Sequence, residues 1–164
     1  MKHAILMTTA SVLALVMTTS MAVQDHDHDH EAGGTGGHVF IEPDDLAWGP
    51  VASMGDGAEI AVIEGDLNKD EPFTIRLRLE GGYRIKPHTH PAYERGTVLQ
   101  GTLHFAHGEE FDADNTTAMG EGSIFIMPPG APMYGYAEGE VVFQLHGTGP
   151  WGIDYVNPDD DPRN

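Results

Sequence analysis

Between Val39 and Val156 the chain is cut into short pieces by glycine, proline, asparagine and aspartate. None of them sustains a helical period long enough to nucleate a helix. The clearest piece runs from Phe73 to Glu80, where Phe73, Ile75, Leu77 and Leu79 alternate with Thr74, Arg76, Arg78 and Glu80, the period of a half-buried strand, before Gly81-Gly82 ends it. Further strands are predicted at 59–63, 84–88, 97–100, 102–106, 123–127 and 141–146, each bounded by turn-forming residues. Only the stretch from Glu109 to Met119 has room for one short helix. Many short strands at regular spacing imply an all-β sandwich or barrel, because packing two sheets or closing one deals with the exposed strand edges. A single β-barrel domain is expected over residues 39–157, with a C-terminal tail at 158–164.

The first 22 residues have the pattern of a secretory signal: Lys2 as a minimal basic end, a largely apolar run from Ala4 to Met17, and Ser20-Met21-Ala22 as a small-x-small cleavage site. Thr8 and Thr9 interrupt a run that already falls short of the roughly 20 apolar residues a membrane span needs, so no stable anchor is expected after cleavage. Cysteine is absent, which excludes both a lipid-modified N-terminal cysteine and disulfide stabilisation. A periplasmic or secreted protein is the expectation. Residues 23–38 then read as a linker, with alternating Asp and His from Asp25 to His30 followed by a glycine-rich run. Its histidines, His26, His28 and His30, suit either a solvated acidic tether or a tract that gathers metal ions for a site downstream.

With 26 acidic residues against 8 Lys and Arg, the formal net charge is −18. Binding to a phosphate backbone draws on clustered basic side chains, so nucleic acid is not an expected partner, whereas cations are attracted. No Ser-His-Asp order, phosphate-cradling glycine loop or dinucleotide fingerprint occurs, which removes nucleophilic hydrolases, nucleotide-binding enzymes and dehydrogenases.

Chemistry concentrates around residue 90. On a strand, His88 and His90 at i and i+2 share a face, and Glu94 returns to that face on the next strand after a turn at Pro91. Two imidazoles and a carboxylate leave coordination positions open, as an ion that acts on a substrate requires. Iron, manganese, nickel, zinc and copper all suit such a set.

Gly82, His88, His90, Glu94 and Gly101 fall at the spacing Gly, five residues, His-x-His, three residues, Glu, six residues, Gly. This stretch resembles the first motif of the cupin superfamily, and Gly122, Pro128 and Gly130 resemble its second. The outer stretches 45–48, 65–66 and 146–163 are similar to those of small bacterial single-domain cupins. The resemblance implies a double-stranded β-helix, the jelly-roll barrel of that family, together with a bound divalent transition metal and, commonly, a homodimer. It also places a fourth ligand, a histidine, where this chain has Met133. A thioether is a poor donor for hard divalent ions and a reasonable one for copper(I). Three readings follow: a three-ligand site with extra water, a soft site that includes Met133, or a weakened site walled by Met133.

Other side chains near the motifs are candidates for acid, base or substrate-orienting roles. Tyr93, Tyr134 and His146 head this group, with Tyr83, Tyr136, His104 and His107 behind them. Arg76 and Arg78 suit salt bridges on an outer strand face better than substrate binding, and Trp48 and Trp151 read as packing residues. Two functions remain open: a metal-dependent lyase, isomerase or dioxygenase acting on a small oxygen-bearing molecule, and a protein that holds a metal or small ligand without turnover.

Overall fold

The computed structural model describes residues 38–164. The export signal expected at 1–22 and nearly all of the linker expected at 23–38 lie outside the described residues. Nine strands follow in order: β1 (Gly49–Pro50), β2 (Ala58–Glu64), β3 (Pro72–Leu79), β4 (Arg84–Thr89), β5 (Glu94–His107), β6 (Thr117–Met119), β7 (Ile124–Met127), β8 (Met133–Thr148) and β9 (Asp154–Tyr155). The predicted short helix is a single 3-10 turn at Ala113–Asn115, and the described residues contain no α-helix.

All pairings are antiparallel, and β8 organises them. Its C-terminal half pairs with β3, from Leu79↔Val141 to Pro72↔Thr148, and with the first half of β5, while its N-terminal half pairs with β4 and the second half of β5. The sheet therefore curls around one interior, the all-β jelly-roll barrel expected from the sequence. The alternation in β3 is realised directly: Phe73, Ile75, Leu77 and Leu79 are all at most 3% exposed. Each such side chain contributes about 2 kcal/mol by leaving water. Val98, Leu103, Val141, Phe143 and Leu145 complete the core from β5 and β8.

Several boundaries differ from the sequence reading: the strand expected at 141–146 begins at Met133, β1, β6 and β9 lie outside the expected set, and two expected strands are one. Gly101 separates two predicted strands, yet it lies inside the continuous β5. With φ at +77° and its ladder register shifting between Gln100 and Thr102, it bends the strand without ending it. A Cβ there would sit 2.3 Å from the Glu140 carbonyl oxygen, so only glycine lets the two backbones come this close.

Residues 158–164, set apart as a tail in the sequence, fold back on the domain. Arg163 donates from Nη2 to the Ile153 carbonyl at 3.1 Å, and Lys86 Nζ lies 3.5 Å from Asp160.

Candidate metal centre

The three motif residues converge. β4 carries His88, β5 begins at Glu94, and His90 sits in the turn between them. Gly130 N–H donates to the His90 carbonyl, pinning that turn to the loop before β8. One ligand atom from each of His88, His90 and Glu94 lies within 4.8 Å of the other two, and all three side chains are buried, with 3–4% exposure.

Orientation matters as much as proximity. Nδ1 of His88 lies 2.7 Å from the Lys86 carbonyl oxygen, and Nδ1 of His90 lies 2.6 Å from that of Gly152. A carbonyl accepts only, so both Nδ1 atoms carry the proton and both Nε2 atoms present lone pairs in the neutral rings. Those Nε2 atoms are 3.1 Å apart, and Glu94 Oε2 is 2.5 Å from that of His90 with no hydrogen-bond partner of its own. Three electron-pair donors thus face one point in a buried place, which is repulsive until a cation or a proton sits among them. Backbone acceptors on the far nitrogens are also what orients histidine ligands in metal sites. The donor set therefore fits a divalent ion.

The titration behaviour agrees. Burial, helped by the neighbouring His90, lowers the His88 pKa to about 4, so that ring stays neutral as a ligand must. At His90 burial also opposes the charge, but Glu94 and the Gly152 carbonyl outweigh it and the pKa is raised. Without an ion, a proton on His90 facing Glu94 relieves the repulsion.

The surrounding cavity leaves about 20 Å³ for the centre of a water-sized sphere, enough for one small ligand. Its barrel walls are Leu77, Ile85, Phe105, Phe143 and Leu145. Three more residues close it from outside the central strands: Met54, Trp151 and Ile153. Tyr83 and Tyr155 hold the Met54 segment by donating to the carbonyls of Met54 and Ser53, at 2.5 and 2.7 Å.

Trp151, read from sequence as packing, lies parallel to the His90 ring, with centroids 4.8 Å apart and planes 14° from parallel. Its Nε1–H is buried and meets no acceptor. Gly152, the acceptor for His90, is its neighbour. Sequence reasoning missed both, and the one available signal was the cluster Gly149-Pro150-Trp151-Gly152 directly after the last strong strand.

The other candidates are placed elsewhere. Tyr93 is 47% exposed beneath the Arg95 guanidinium, and His146 is exposed on the outer face of β8, because the core side of that strand is taken by Phe143 and Leu145. Tyr134 is buried against Phe111, 5.4 Å between ring centroids, away from the cavity lining. His104 stacks on Tyr136 and contacts Glu138 at 2.8 Å, and His107 is exposed. Met133 is fully buried opposite His88 in the ladder but is not among the residues lining the cavity. Arg76 bonds Gln144, and Arg78 pairs with Glu59 over the Trp48 ring, both local contacts.

Comparison with known proteins agrees with this geometry. Residues 75–147 match the model of the cupin domain. Curated protein sequences give no match. Among solved structures, the chain resembles the polyketide cyclase RemF from Streptomyces resistomycificus, with TM-score 0.63 and 16% identity over 77% of this chain and 90% of that one. It also resembles KdgF from Halomonas sp., with TM-score 0.53 and 18% identity over 68% and 95%, and an RmlC-like cupin from Shewanella frigidimarina NCIMB 400, with TM-score 0.54 and 12% identity over 75% and 96%. Identities this low carry the fold alone. The domain match, the curled antiparallel sheet and the His-His-Glu cluster together identify residues 75–147 as a cupin domain.

Proposed function

We propose that this chain is an exported cupin that holds one divalent transition metal on His88, His90 and Glu94 and acts as an enzyme on a small oxygen-bearing molecule. The observation that carries the reading is the convergence of two imidazole Nε2 atoms and the Glu94 carboxylate in a buried cavity. Export rests on the signal-like pattern of residues 1–22. A polyketide cyclase on the same fold shows that such a barrel can host an enzyme.

A bound ion would supply Lewis-acid or redox chemistry. The residues of the chain do the rest. His88 and His90, fixed by the Lys86 and Gly152 carbonyls, hold the ion at a set position, and Glu94 lowers the charge there. The apolar walls exclude water and so strengthen electrostatic attraction inside. Among the described residues no further titratable side chain lines the cavity, so proton movement is left to Glu94 and His90.

That same lining favours the second reading, capture of a metal or small ligand without turnover. Elemental analysis of tag-free protein separates a working site from an accident: near one equivalent of metal in the parent and none in His88→Ala supports the proposal. Equal metal in both sinks it.

A further inference from the structure

Three cavity residues hold the ion in the proposed function, and seven others offer only carbon, or sulfur in the case of Met54. The eleventh, Trp151, brings the one remaining side-chain polar hydrogen of the lining. Among the described residues no lysine or arginine lines the cavity, so no side-chain cation there pairs with an anionic group. The indole Nε1–H is buried with no acceptor among the described residues. Leaving such a donor unpaired is unfavourable, and native structures tolerate it chiefly where a water, an ion or a function accounts for it. The ring cannot turn away freely, because it lies flat against His90 and its own backbone N–H donates to the Leu67 carbonyl at 2.7 Å.

Resting on the three-ligand reading, we propose that Trp151 is a specificity-determining residue of this site: its Nε1–H donates a hydrogen bond to the acceptor atom of a small ligand bound beside the ion. The ligand class follows from the space and the walls. What reaches the indole is a single acceptor atom, an oxygen or an equally strong acceptor, since the cavity admits about one water-sized group. A ligand of the same size without an acceptor would leave the donor unpaired and bind more weakly.

The test uses the full chain loaded with cobalt(II), whose visible absorption reports ligands reaching the ion. Fluoride serves as a one-atom strong acceptor and chloride as a weak one. Trp151→Phe keeps an aromatic ring against His90 and removes the N–H. It is expected to take up cobalt as the parent does, to bind fluoride about tenfold more weakly, as loss of a bond to a charged acceptor implies, and to change little toward chloride. Unchanged fluoride binding, or equal weakening of both halides as a purely structural role would give, overturns the inference and leaves the three-ligand reading standing. A parent that takes up no cobalt overturns both. A second measurement needs no folded Trp151 variant. In zinc-loaded, 15N-labelled parent, fluoride should shift one of the two indole N–H signals, the one that survives Trp48→Phe, and the absence of that shift also overturns the inference.

Discussion

The barrel strands and the segments that flank them make opposite contributions to the same cavity. Residues 75–147, the span matching the cupin domain, provide the three candidate ion ligands and the apolar floor. Residues 53–54 and 151–155 lie outside that span and provide the acceptor for His90, the stacked indole, and the covers Met54 and Ile153. One region makes an ion site possible; the other sets its orientation and limits what reaches it. A barrel of this kind can therefore keep its ligands and differ in chemistry through the short segments that flank its long strands.

The sharpest way to break this division is at a ligand. His88→Ala should weaken metal binding by about a thousandfold or more, beyond the roughly 10- to 100-fold that follows from losing a group that only orients a ligand. Equilibrium dialysis would show it, and a smaller loss would mean that the flanking segments hold the ion as well. Next comes the barrel itself. Leu79 is fully buried and does not line the cavity, so Leu79→Ala should cost about 3 kcal/mol in denaturant unfolding while leaving metal stoichiometry unchanged.

A third effect comes from protons. Below the raised pKa of His90, each ion taken up must displace the proton that His90 carries, so apparent affinity should climb about tenfold per pH unit, or about 1.4 kcal/mol, and level off above that pKa. His88, at about 4, adds a second competing proton only in stronger acid. Calorimetric titration with zinc between about pH 5 and 8 would read the slope, and a flat profile would remove the His90 proton from the account. The smallest effect belongs to the flank. Tyr155→Phe removes the bond to the Ser53 carbonyl and should cost about 1 kcal/mol of stability, with metal affinity nearly unchanged.

These two regions also differ in how far the sequence announces them. Alternation made β3 readable because period 2 assigns every side chain to a face, and His88, His90 and Glu94 were readable because a strand, a proline turn and a strand bring that spacing to one point. Gly101 misled because a glycine that ends a strand and one that bends it look alike until the partner strand is known. His146 and Tyr93 misled because position along a strand does not say which face is taken by the core. Trp151 and Gly152 were invisible as site residues. One acts through its unpaired N–H and its stacking, the other through a backbone carbonyl that every residue possesses.

Fixing both imidazoles by carbonyl acceptors has a consequence for which metal the proposed site would carry. Neither ring needs to rotate or change tautomer to receive an ion, so little reorganisation stands between an arriving cation and its ligands. A site prepared in this way has few means of refusing one first-row ion in favour of another, and affinity alone would follow the general ordering that peaks at copper. Identity then passes from the protein to its surroundings. The metal recovered should track the supply where the chain folds, and should change when that supply is changed before folding.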